Sequence, residues 1–470
     1  MTTLPPATLR RALAGTRAVA RPAQAAPFAL SPRHPLALLI AAYLFLLPFS
    51  QIAPARGVRI RILQLPVLGG RYEDSINLGI VLMPEFLFSV FVLLTALMVT
   101  GRWPARRSLS RGAGVLAAVG VTALITSLPA TLFAEHIGAA LVGWVSLATA
   151  IMFAAAVVIS RPTEATVRAW LCAFIFGTAV LGMVAIRAYL NAFAIPESLA
   201  ALPANRLHPF FDDYAAVTYG HSGNTASILT VVASASLALI AAPRQSAWLR
   251  ALLAVSLVVC FVNLGFAFQR WAWLTISVAG VAVLWRYRAS RAGLALLSLL
   301  SVAVLLGGSL VTAQLGDYFL DGASFASGGS SVGSRLTAWG IAWDLIRLNP
   351  AGYGITLTPT LGLPNVIAHN LLVDAALEGG VLYATALAVW GLYGIAHLTV
   401  ALFRRNSLSP ARFAALLGGV ALTSWTLFFG LSISLTGNVI WVTMWFVLPA
   451  LAIGHAGSEE RPTLAAKREG

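Results

Sequence analysis

The sequence predicts an all-α, polytopic integral membrane protein of about twelve transmembrane helices, with a large, partly helical loop between helices 9 and 10. Three observations carry this prediction. Hydrophobic residues make up 59% of 470 positions, only 10% are charged, and mean hydropathy is +0.84, far above a soluble globular composition. Apolar runs of roughly 20 residues, the length that crosses a bilayer, recur along the chain. Most cations lie in the short segments between those runs.

The runs fall at roughly 35–52, 77–99, 113–133, 138–159, 168–194, 222–242, 247–268, 271–286, 292–313, 371–401, 411–431 and 437–455. Residues 1–34 hold five Arg and no acid. They read as a basic cytoplasmic tail, because no apolar core precedes residue 35 and the first run is too long for a removed signal. With that end inside, 22 of the 31 Lys and Arg lie in inner segments, as the positive-inside rule requires. Both termini are then cytoplasmic, and odd-numbered spans run outward. The expected division is the tail 1–34, spans 1–9 over 35–313, a periplasmic loop 314–368, spans 10–12 over 369–455 and a cytoplasmic tail 456–470.

A net charge of +15 would suit nucleic acid if the cations formed one patch. Scattered through loops that flank spans, they speak for topology instead. The two cysteines, Cys172 and Cys260, sit inside spans 5 and 7. They read as small buried hydrophobes, with no metal or redox spacing.

The long connections face outward: 53–76, 195–221 and above all 314–368. Long loops are disproportionately functional, so chemistry is expected on the outer face. Within "SFASGGSSVGSRLTAWGIAWDLIRLNPAGYG", Ser334 is a plausible N-cap. Apolar residues recur at Leu336, Trp339, Trp343 and Ile346, a helical period, with Arg335, Asp344 and Arg347 off that stripe. Asn349-Pro350 stops the helix. Two readings fit: an amphipathic helix on the outer membrane surface, or a lid over a site with Arg335 facing inward.

Ionisable residues within spans are costly in lipid and are functional candidates by default. Arg187 lies in "MVAIRAYLNAF" and Glu85 in "LMPEFLF" at comparable depth, so the two either pair structurally or serve a site. Arg270, in "GFAFQRWAWL", opens span 8 at its outer end. An anion there is favoured by both the guanidinium and the helix dipole, although an interface anchor beside Trp271 and Trp273 is the plainer alternative.

"AHNLLVDAALEGG" places His369, Asp374 and Glu378 at the mouth of span 10. Asp374 and Glu378 are four residues apart and share a helical face. His369 and Glu378 fall on opposite faces of one regular helix, since each residue advances about 100°. Either the helix begins after His369, or Glu378 is a structural or positioning group, with Gly379-Gly380 allowing a close helix approach. Together, Arg187, Arg270, Arg335, His369 and Glu378 all map to the outer leaflet or just above it. Arginine forks match phosphate oxygens, and a neutral histidine can take a proton from an attacking hydroxyl.

The ordered set "QRWAWL", "SRLTAWGIAWDLIRLNPAGYG" and "AHNLLVDAALEGG" resembles the O-antigen ligase and polymerase superfamily of bacterial inner-membrane glycan transferases. The matching positions are Arg270 with Leu274, then Arg335, Trp339 and Pro350–Gly354, then His369-Asn370, Leu372 and Glu378-Gly379. "YGHSGNTASILTVV" at the start of span 6 is similar to the family's weaker Asn-containing segment. Two departures stand out: Gln269 replaces a small residue before Arg270, and "NPAGYG" is a variant ending.

The resemblance implies inverting glycan transfer at the periplasmic face, without cofactor or metal. The donor would be a glycan on undecaprenyl pyrophosphate, and the acceptor a sugar hydroxyl on lipid A-core or on another lipid-linked glycan. His369 would be the general base and Arg270 the holder of the leaving pyrophosphate, with Arg187 and Arg335 as helpers. Asn370 and Glu378 would position these groups. Membrane lipid is a partner, nucleic acid is not, and a polymerase of this kind can also take a chain-length regulator.

Two other classes compete. A transporter or flippase of lipid-linked sugars would use outward arginines without needing His369, although two six-span halves are not detected. A polyprenyl-monophosphate-dependent glycosyltransferase would use an acidic pair in the first outer loop, where Glu73-Asp74 is the candidate.

Overall fold

The computed structural model describes residues 30–51, 84–100, 111–134, 137–193, 222–267, 270–288, 295, 331–355, 370–404, 408–428 and 439–453. Among these residues there are thirteen α-helices and no strand. They are α1 Pro35–Leu46, α2 Pro84–Thr100, α3 Arg111–Leu132, α4 Ile137–Ser160, α5 Glu164–Phe193, α6 Ser222–Ala241 and α7 Ala247–Ala267. After these come α8 Arg270–Tyr287, α9 Ser331–Leu348, α10 Leu371–Gly379, α11 Val381–Phe403, α12 Pro410–Phe428 and α13 Val439–Ile453. The protein is thus all-α and polytopic.

Five helices contain segments long and apolar enough to cross a membrane: Gly112–Leu132, Gly143–Ser160, Glu164–Arg187, Ala247–Gly265 and Val381–Phe403. Shorter apolar helices occupy Pro35–Phe49, Phe86–Val99, Thr225–Ala241, Ala272–Tyr287 and Trp441–Ala452. The expected ninth span, 292–313, lies outside the described residues apart from Ala295. One expectation needs correcting. The run 371–401 is two helices, because Gly380 adopts φ 88° and separates α10 from α11.

Helix α6 is the centre of the bundle. Its side chains from Thr225 to Leu239 are buried, and it packs against α5, α7, α8 and α12. Thr230 Oγ1 donates to Ala226 O at 2.6 Å within the helix, so this polar side chain can sit in an apolar core. Around it, α12 packs on α13 and α13 on α4, while α2 and α3 cover α4. Close crossing of α5 and α7 depends on Gly182. There Asn263 Nδ2 donates to Gly182 O at 3.2 Å, and a Cβ on the glycine would lie 2.9 Å from that nitrogen.

Several cations expected only to set topology also tie helix ends together. Arg286 is buried and donates from Nη1 to Ala401 O at 2.7 Å and from Nη2 to Leu408 O at 2.6 Å. Its guanidinium sits 5.2 Å from the centre of the Phe413 ring. Carbonyls at the end of α11 lack helical donors, and Arg286 supplies them. At the neighbouring loop, Glu164 accepts from the Ala411 amide at 2.9 Å and from the Ser409 hydroxyl, which caps α12. Arg412 Nη2 returns a bond to Pro162 O at 3.1 Å.

Candidate functional site

The site is built on α9, the turn that follows it, and α10. Helix α9 begins at Ser331, three residues before the expected cap at Ser334, and ends before Asn349-Pro350 as the sequence requires. Its packed face is the i, i+4, i+8 row Ala338, Ala342 and Ile346. The tryptophans of the apolar stripe are exposed instead, Trp339 at 40% and Trp343 at 56%. Small side chains explain the preference, since Ala at two of the three contact positions lets α9 lie close on α10, the helix it packs against.

The turn 349–355 then locks onto the junction of α10 and α11. Tyr353 N donates to Leu377 O at 2.7 Å, Gly354 N to Glu378 O at 2.9 Å, and Val381 N to Pro350 O at 3.0 Å. Inside the turn, Asn349 Nδ2 donates to Gly352 O at 2.7 Å, and Tyr353 OH donates to Leu345 O at 2.9 Å. Two glycines make the fit possible. Gly352 has φ 93° and a Cβ there would come within 2.5 Å of Gly380 N, while one on Gly380 would come within 2.6 Å of Ala351 O. "NPAGYG" and "EGG", 24 residues or more apart in sequence, therefore form one backbone clasp. The close approach that Gly380 permits is to this turn rather than to a helix. Gly379 does face a helix, as a Cβ there would lie 3.1 Å from Ser127 Cβ of α3.

Helix α10 starts after His369, which resolves the question left by helical spacing. Asn370 is its N-cap: Oδ1 accepts from Leu372 N at 3.0 Å and Val373 N at 3.3 Å, which satisfies two amides that a helix start leaves open. Asp374 and Glu378 share a face and are both buried, each 2% exposed.

His369 itself lies outside the described residues, as do the loops carrying Glu73-Asp74. Arg270 is the first residue of α8 and Arg335 the fifth of α9; their side chains and that of Glu85 are likewise outside the described set. Arg187 is exposed on α5, a helix packed against α1, α6, α7 and α12. Ser127 carries no signal in the sequence, and Asn349, Gly352 and Tyr353 stand out there only as a helix stop and a motif, not as a clasp on α10. The "NPAGYG" pattern was the available signal, because paired glycines after a helix stop point to positive φ.

Helices α9 and α10 pack against each other and are tied together at their C-terminal ends. From the clasp, Arg335 is about 20 Å along α9, and Asn370 about 13 Å along α10, at the helical rise of 1.5 Å per residue.

In comparison with known families, residues 255–389 match the family described as O-Antigen ligase. No curated protein matches the chain. The matched stretch runs from within α7 through α8, α9 and α10 into α11, and contains the whole clasp.

Proposed function

From the match of residues 255–389 to the family described as O-Antigen ligase, we propose that the chain transfers a glycan from undecaprenyl pyrophosphate to a sugar hydroxyl at the periplasmic side of the inner membrane. The observation that supports the reading is the clasp, which joins Pro350–Gly354 to Glu378 and Val381 within the matched stretch.

In the proposed step, the acceptor oxygen attacks the anomeric carbon as the bond from that carbon to the pyrophosphate oxygen breaks, with inversion. His369 takes the hydroxyl proton. Arg270, helped by Arg335 and Arg187, stabilises the charge that grows on the departing undecaprenyl pyrophosphate; preorganised cations do this without reorganisation. No metal or cofactor is needed on this reading. Asn370 starts α10 just beyond the base, and Glu378 with Gly379 positions the helix from its other end. The acceptor is lipid A-core for a ligase or a second lipid-linked glycan for a polymerase, the latter with a chain-length regulator as partner.

The test is reconstitution. Purified protein in vesicles receives an undecaprenyl-pyrophosphate glycan and either acceptor, and the new glycosidic bond and the released lipid are measured. Transfer undiminished by a chelator is the expected result. Movement of the lipid-linked glycan across the membrane without bond formation would make the protein a flippase, and abolition by the chelator would remove the metal-independent mechanism.

A further inference from the structure

Helix α9 carries a face that the two-helix unit leaves outward. Trp339, Trp343 and Arg347 are spaced i, i+4, i+8, so they form one ridge on the helix. This ridge is the packed Ala338–Ala342–Ile346 row advanced by one residue, about 100° around the axis. Both indoles are exposed, and the Arg347 guanidinium lies 5.4 Å from the centre of the Trp343 ring.

The outward apolar surface does not stop at the end of α9. Three residues after Arg347, Pro350 O accepts from Val381 N at 3.0 Å, and Val381 opens a segment long and apolar enough to span a membrane. Leu382, next in that segment, is 66% exposed. The clasp thus brings the end of α9 to the exposed start of α11, a helix long and apolar enough to cross a membrane. Tryptophan and arginine side by side are the residues that settle at head-group level: the indole is amphipathic, and the guanidinium reaches phosphate while its stem stays in apolar surroundings.

We propose that the Trp339–Trp343–Arg347 ridge rests in the head-group layer of the bilayer, and that α9 is a surface anchor holding the α9–α10 unit at a fixed height over the membrane. A glycan could in principle stack on the same indoles. The lipid occupant is favoured because Arg347 already covers one face of Trp343 and because the exposed apolar surface runs into a span. The anchor does not depend on the transfer reading.

The full-length protein in nanodiscs of phosphatidylethanolamine and phosphatidylglycerol tests it. A fluorophore is attached to Trp343→Cys or, separately, Trp339→Cys, with Asp344→Cys as the control about 100° further round the helix. The native Cys172 and Cys260 are buried. Lipids spin-labelled at the head group should quench positions 339 and 343 strongly and position 344 weakly, and aqueous iodide should do the reverse. Iodide quenching at 339 and 343 as strong as at 344, with no effect of the spin-labelled lipid, overturns the anchor. Shielding that appears only when a lipid-linked glycan is added also overturns it, and assigns the ridge to the glycan.

Discussion

The Gly354 amide donates to the Glu378 carbonyl at 2.9 Å, so the turn that ends α9 is anchored to the last turn of α10. Any side chain that forces these backbones apart should disturb both helices at once. Gly352→Ala and Gly380→Ala each add a Cβ at positive φ and within 2.6 Å of the facing backbone. Each should cost at least about 2 kcal/mol, seen as a lower melting temperature of the purified protein, with transfer falling as the α9–α10 relation loosens. Gly340→Ala is the contrast. It sits on exposed α9 with no atom within 4 Å of the new Cβ, so it should be neutral or gain up to about 1 kcal/mol.

Asn370 is a cap in this account. Asn370→Ala should destabilise by about 1 kcal/mol, and Asn370→Asp should restore most of it because the carboxylate accepts the same amides. Melting curves for the two variants check this. Equal loss in both would mean that the amide nitrogen of Asn370, rather than its oxygen, is what matters.

Arg286 separates structural cations from those assigned to chemistry. Arg286→Met leaves the Ala401 and Leu408 carbonyls without their donors, at a cost of about 2–3 kcal/mol. Lysine, a point donor without the planar fork, should rescue only in part. Thermal stability is the measurement, and transfer per folded molecule should stay near wild type.

Arg270→Ala should show the opposite pattern. Loss of one preorganised cation at a developing anion typically costs about 10²–10³ in rate, with little change in melting temperature. Steady-state kinetics against each substrate should show donor use impaired more than acceptor use; an acceptor-specific defect would remove Arg270 from the leaving group.

Hydropathy made the spans legible, since apolar length is a local property of the chain. The helix stop at Asn349-Pro350 and the start of α8 at Arg270 were legible too, because proline and helix register act locally. Three things were not. The break at Gly380 lies in an unbroken apolar run, and its positive φ is imposed by the turn at Pro350 and Ala351, which is distant in sequence. The packed face of α9 was hidden because hydropathy ranks tryptophan as the natural contact, whereas close packing selected Ala338 and Ala342. Arg286 looked like a topology signal because its partners are backbone carbonyls, which leave no mark in the sequence. For the candidate site, the motif order gave the residue types, and the clasp supplied the reason why segments at 350–354 and 378–381 occur together.

The central claim rests on His369, which precedes the cap residue Asn370 in the sequence. Its most direct test is the rate of glycan transfer from an undecaprenyl-pyrophosphate donor by purified wild type and His369→Ala at matched melting temperature. The account predicts a fall of about 10²–10⁴, the usual contribution of a general base. Transfer by His369→Ala at the wild-type rate would contradict it.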